Sequence, residues 1–101
     1  MKMTDGLLME QPFAAMIAKG TKTVEYRSTP PPADKFQVPI YILSKGKIYA
    51  KVKITSYNGN NSQPQHAYDW NLEVIEAYKQ PIRYAHPNGA QKWVKNVVTL
   101  K

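Results

Sequence analysis

The chain has 101 residues, with fourteen Lys and Arg against seven Asp and Glu for a net charge of +7, and no cysteine. That length supports one modest core, read here as a single domain over residues 1–101, and the 43% apolar content argues against a disordered tail. Disulfides, thiolate metal sites and Cys nucleophiles are excluded, no apolar run approaches the ~20 residues of a membrane span, and with no export signal at the N-terminus the expected location is cytoplasmic.

Leu7-Leu8-Met9 reads as a short buried strand. Gln11-Pro12 then opens a helix, with Pro12 at the first helical position, where a missing N–H costs nothing. Phe13, Met16 and Ile17 supply its apolar face at i, i+3, i+4 spacing, and Lys19-Gly20 ends it with a cation and a residue suited to the left-handed region. Thr21 to Arg27 alternates as a strand, with Val24 and Tyr26 on one face and Thr23, Glu25 and Arg27 on the other.

Ser28 to Asp34 is a loop, since three consecutive prolines cannot supply ladder donors. Val38, Ile40 and Ile42 mark another strand, with Pro39 at an edge or a strand start. After a turn at Ser44-Lys45-Gly46-Lys47, Ile48, Ala50, Val52 and Ile54 alternate with Lys47, Tyr49, Lys51 and Lys53. This is the clearest strand in the chain, with one buried face and one basic, aromatic-bearing face.

Asn58 to Pro64 is a polar loop. Trp70 to Lys79 fits the strand period and the helix period alike. Pro81 and His86-Pro87-Asn88-Gly89 mark turns, and Trp93 to Leu100 is predicted to close the fold as a strand. One early helix followed by several strands points to an α+β fold with a curled, barrel-like sheet.

The charge is unevenly placed. No acid occurs between Asp34 and Asp69, while Lys35, Lys45, Lys47, Lys51 and Lys53 fall in that interval. A one-signed region attracts polyanions, and Tyr41, Tyr49 and Tyr57 interleave with it, as base-stacking rings do in single-strand binders. The expected nucleic-acid surface is therefore Lys47, Tyr49, Lys51 and Lys53. His66 and His86 lack metal-ligand spacing, and Lys45-Gly46-Lys47 lacks the spacing of a phosphate loop, so neither a metal nor a cofactor is expected.

The densest polar set is Gly20-x-Lys22-x-x-Glu25-x-Arg27. A glycine there allows a sharp turn from helix to strand, and Glu25 and Arg27 fall on one face, where they can pair. Together with Leu7-Leu8-Met9-Glu10-Gln11-Pro12-Phe13 upstream, and with Ile40 to Lys45, Tyr68-x-Trp70-x-Leu72, Pro81-Ile82 and Trp93 downstream, this pattern resembles the ASCH family of the PUA-like superfamily.

The resemblance implies an α+β fold, a PUA-like β-barrel of five or six strands with short flanking helices, and it makes Trp70 to Tyr78 mainly strand. It also implies an RNA or nucleotide partner bound in a cleft lined by Gly20, Lys22, Glu25 and Arg27, with Ser44 and Lys45 as neighbours. A catalytic branch of the family deacetylates acetylcytidine with a lysine, a threonine and a glutamate. Lys22 matches the lysine, Glu25 stands where the threonine would be, and Asp69 is the one acid near the glutamate's place. Binding is therefore the expected function. The alternative is a small hydrolase acting on RNA or a modified nucleoside, with Lys22 and Glu25 in acid–base roles.

Overall fold

Proline, glycine and the alternating apolar residues divide the chain into strands and one α-helix. A computed structural model describes residues 3–59 and 63–100. The strands are β1 (Gly6–Leu8), β2 (Val24–Arg27), β3 (Pro39–Ser44), β4 (Lys47–Gly59), β5 (Tyr68–Arg83) and β6 (Trp93–Val94), with helix α1 (Phe13–Lys19) and a single 3-10 turn at Pro64–His66. They form one sheet in the order β2-β5-β4-β3-β1-β6, in which only β1 and β3 run parallel. The sheet curls into a half-barrel, with α1 laid against β3, β4 and β5.

The β3–β4–β5 meander follows directly from local sequence. Lys45 and Gly46 both take positive φ, 49° and 78°, the geometry of the two-residue hairpin turn whose twist matches the strands it joins. Pro39 is the first residue of β3, where no ladder donor is lost. Ile48, Ala50, Val52 and Ile54 are completely buried, while Lys47, Tyr49, Lys51 and Lys53 between them are not. The segment that fitted two periods is strand throughout, and β5 runs through it to pair with both β2 and β4.

Two register shifts give the sheet a second buried face. One lies between Ile42 and Leu43, the other between Ile48 and Ala50, and each bulge lets a strand change the side it offers to the interior. The larger core holds Leu7, Ile40, Ile42, Ala50, Val52, Ile54, Trp70 and Leu72 with Ala14 and Ile17 of α1. A smaller one holds Leu43, Ile48, Tyr84, Val94 and Val97. Leu7 joins the first and Leu8 packs on the second, as consecutive strand residues must. At Gly6 even a methyl group would overlap the Leu43 side chain and press on Val97, so glycine is what lets β1 lie flat on the smaller core.

Several expectations are corrected. Pro12 is the N-cap residue, one place before the first helical position. The helix buries Ala14 and Ile17, and Phe13 is left 44% exposed; the small Ala14 allows close approach to the sheet and turns the buried stripe by one residue. Regular pairing in β2 begins at Val24, after a non-strand stretch from Thr21. Asn58 and Gly59 extend β4, because Asp69 and Tyr68 stand opposite to pair with them; the rest of that expected loop includes 60–62, which lie outside the described residues. Pro81 sits inside β5, within a stretch where three residues of β5 bulge out between the Ala50 and Ile48 pairings, so no ladder donor is asked of it. The closing strand is only Trp93–Val94, followed by an isolated bridge from Thr99 to Tyr84.

The N-terminal segment is tied down by charge. Asp5 accepts the Asn96 N–H at 2.7 Å and pairs with Lys35 at 2.9 Å, and Lys35 also meets Asp34 at 2.8 Å and lies over the Trp93 ring. Burial opposes ionisation of Asp5, but the Asn96 N–H and the Lys35 ammonium outweigh it and hold its pKa below the ordinary 3.8. A carboxylate lowered on folding stabilises fully above its unfolded pKa and loses that contribution as pH falls through the folded one. Asp5→Asn should therefore be less stable than the parent at neutral pH, and the gap should narrow as pH drops below 3.8 in melting curves across the acid range.

Candidate functional site

Gly20, at φ 81°, turns the chain out of α1, and its N–H and that of Thr21 return to the carbonyls of Ile17 and Met16. This left-handed closure satisfies the last helical acceptors and folds Lys22 back over the helix it has just left. Its Nζ lies 5.2 Å from the centre of the Phe13 ring and 5.1 Å from that of Tyr26, within cation–π range of both. Oε1 of Glu25 is 3.9 Å away, near enough for attraction and too far for a hydrogen bond.

Glu25 stands opposite Trp70 in the β2–β5 ladder and faces inward, with 9% of its side chain exposed. Its Oε2 accepts the Arg27 Nε–H at 2.8 Å, and another guanidinium N–H of Arg27 donates to the Leu8 carbonyl at 3.1 Å. The guanidinium also lies 5.8 Å from the Trp70 ring, which is stacked on Trp93 with centroids 6.3 Å apart.

These contacts have a topological role. β2 is one edge of the sheet and β6 is the other. Arg27 reaches from the first edge to the carbonyl of Leu8, at the end of β1 beside the second edge, and the tryptophan pair spans the same gap. The half-barrel is thus joined along this seam by side chains instead of a strand ladder.

The structure therefore brings Gly20, Lys22, Glu25 and Arg27 together. It places Ser44 and Lys45 elsewhere, in a hollow of about 340 Å³ shared with Met9, Glu10 and Gln11. There the Ser44 Oγ is buried without a hydrogen-bond partner among the described residues. The segment from Leu8 to Gln11 relates the two places: Arg27 grips its first residue, and the other three line the second hollow.

Lys47, Lys51 and Lys53 alternate with the buried residues of β4. Tyr49, in the same alternation, is half-buried: it packs against the larger core and lines a hollow with Ala15, Ala18 and Lys19 of α1, away from the expected nucleic-acid surface. The acid-free run in the sequence is not acid-free in space, because Lys51 stands opposite Glu76 and Lys53 opposite Glu73. Lys51 also lies over the Tyr41 ring. Lys47 is different: its β5 partner is Arg83. Asp69 pairs with Tyr26, so the pleat carries its carboxylate to the opposite side of the sheet from Glu25.

The aromatic partners of Lys22 were not singled out by the sequence as site residues. Tyr26 occupies a variable position inside the motif, and Phe13 looked like part of the helix's buried face. The Leu8 carbonyl has no sequence signal at all, because a backbone acceptor is chosen by topology.

A curled sheet of six strands with one short helix laid across it is the architecture of PUA-like domains. The sequence profile of the ASCH domain matches residues 7–99, and the chain belongs to that family, a branch of the PUA-like superfamily. No curated protein matches the chain significantly. Among the described residues, no helix is long and apolar enough to cross a membrane, and no cluster of three or more His, Asp or Glu side chains is placed to hold a metal ion.

Glu25 and Arg27 are mostly enclosed and bonded to each other, so removing one charge leaves the other poorly solvated. Partial exposure of Arg27 tempers the effect, and a lost partner of this kind costs about 1–3 kcal/mol. Glu25→Gln should lower the melting temperature by about 4 °C or more for a domain of this size. Lys22→Met removes a long ion contact and two cation–π contacts but leaves Glu25 its hydrogen-bonded partner Arg27. It should therefore change the melting temperature by less, and thermal unfolding of the two variants side by side measures the difference.

Proposed function

We propose that this domain binds RNA or a nucleotide, with the ligand meeting Lys22 in the cleft formed by the Gly20-x-Lys22-x-x-Glu25-x-Arg27 motif. One observation carries the reading: the ammonium of Lys22, a side chain 14% exposed, lies against two aromatic rings with Glu25 3.9 Å away and makes no hydrogen bond among the described residues. Its N–H donors thus lack an acceptor that a ligand would supply. Arg27 spends two of its five N–H donors on Glu25 and Leu8 and has others left. Glu25 is the positioning residue of the set. The net charge of +7 supplies the long-range attraction for a polyanion.

Phosphates beyond the cleft are assigned to the turn end of β4. Lys47 and Arg83 are like charges placed opposite each other, an arrangement that costs stability unless an anion lies between them. Lys51 and Lys53 face glutamates and contribute less, so only part of the expected lysine surface tracks the strand. The hydrolytic alternative gives Lys22 and Glu25 acid–base roles. It is the weaker reading, because Glu25 is committed to Arg27 and Asp69 lies across the sheet.

Two measurements on labelled single-stranded RNA test this. Lys22→Met should weaken binding at least several-fold while the protein stays folded; unchanged affinity would remove the cleft from the binding surface, and lost turnover of an acetylated nucleoside with intact affinity would favour the hydrolase. Second, the slope of log affinity against log salt should flatten by up to about 0.7 for each phosphate contact removed. Lys47→Gln with Arg83→Gln should flatten it more than Lys51→Gln with Lys53→Gln.

A further inference from the structure

Beside the motif, along the seam, lies a depression of about 220 Å³ that the motif itself does not explain. Its walls come from five parts of the chain, one of them the proline-containing loop at 28–32. β2 contributes Tyr26 and Arg27, the 3-10 turn contributes His66, β5 contributes Trp70, and the approach to β6 contributes Lys92 and Trp93. The ring centroids of Tyr26 and His66 are 5.9 Å apart, and Trp70 and Trp93 are stacked behind Arg27.

Two properties of this lining limit what it fits. Its formally charged side chains are Arg27 and Lys92, with no carboxylate among them, so an anion is favoured. The exposed rings are Tyr26 and His66; Trp70 is buried and stacked on Trp93, which Lys35 also covers, so the tryptophans form a floor. The rest of the lining is mostly polar, with little for an aliphatic chain. The volume falls below the roughly 300–1,000 Å³ of drug-sized sites, leaving room for one ring system. An acidic peptide would use the cations and leave the rings idle. A nucleobase carrying a phosphate uses both.

We propose that this depression receives a single unstacked nucleobase together with its phosphate. The base lies against the exposed rings of Tyr26 and His66, with Trp93 below, and the phosphate meets Lys92 and the unused donors of Arg27. The inference rests on the nucleic-acid reading above and deepens it. Tyr26 lines both the hollow beside Lys22 and this depression, so the two are adjacent along the edge of the sheet. The same chemistry is offered by a free nucleotide and by one residue of a single-stranded RNA.

The chain has only two tryptophans, and both line the depression, so intrinsic fluorescence reports on it without a label. The parent protein is titrated with adenosine and uridine monophosphates, an eight-nucleotide single-stranded RNA, and inorganic phosphate. In parallel, anisotropy of the labelled RNA gives affinity independently. The expected result is a saturable fluorescence change with nucleotide or RNA and none with inorganic phosphate alone. His66→Ala and Lys92→Gln, both exposed and outside the motif, should each weaken RNA binding about fivefold or more, the lower range of a base-stacking contact for the first. Their melting temperatures should match the parent's.

Saturation by a monophosphate at low concentration would identify a free nucleotide as the ligand, and tight binding of the octamer alone would identify the strand. RNA binding that depends on Lys22, with silent tryptophans and with His66→Ala and Lys92→Gln unaffected, would overturn the depression and leave the module reading standing. An equal response to inorganic phosphate would overturn the base. Absence of binding in both measurements would overturn both readings.

Discussion

The contact on which the rest depends is the hydrogen-bonded chain from Glu25 through Arg27 to the Leu8 carbonyl. A curled sheet with two free edges exposes unpaired backbone groups at both. Here one arginine satisfies the Leu8 carbonyl, at the end of the strand next to the far edge, while its own charge is met by an enclosed carboxylate. The stacked tryptophans fill the space beneath. A planar guanidinium with donors pointing several ways suits this work as a lysine would not, since it must address a carboxylate, a carbonyl and a ring together. Lys22 stands beside this chain of bonds, meeting the Phe13 and Tyr26 rings because Gly20 turns the backbone sharply from α1 toward β2.

Charge in this protein is organised in three dimensions in a way its linear order conceals. The stretch between Asp34 and Asp69 carries lysines without acids, yet β5 returns alongside it and sets Glu73 and Glu76 opposite two of them. At the Lys47–Arg83 end no such cancellation occurs, because the residue opposite the lysine is another cation. Binding surfaces of basic domains are commonly inferred from runs of lysine, and here the antiparallel partner decides which members of the run remain unopposed.

Much of the fold was legible in the sequence, and the reasons differ by element. β4 was plain because one side of it is wholly buried and the other polar, so the period of two is undiluted. The β3–β4 turn was plain because Lys45-Gly46 sits between two such strands. β5 was not, since its residues face the core over only part of its length and bulges interrupt the alternation at several points; family resemblance supplied what periodicity lacked. The short β6 was overestimated, because the apolar residues after it are placed by packing of Val97 on the smaller core and not by pairing. For the site, the motif named the residues that meet, while Ser44 and Lys45 were drawn to it by resemblance and sit apart. The aromatic depression drew on Tyr26, His66 and Trp93 from distant stretches, and no local pattern joins them.

The seam also bears on the order in which the chain can assemble. The β3–β4–β5 meander pairs neighbours in sequence, whereas pairing β1 with β6, and bridging β2 to Leu8, requires distant parts of the chain to meet. Closing longer loops costs more entropy, so the meander is the inexpensive part of the fold and the seam the expensive part. The cleft and the depression both lie on the expensive part. The contacts of Arg27 with Leu8 and of Trp70 with Trp93 therefore exist only once the barrel has closed, and anything that bound the closed form alone would stabilise it by mass action.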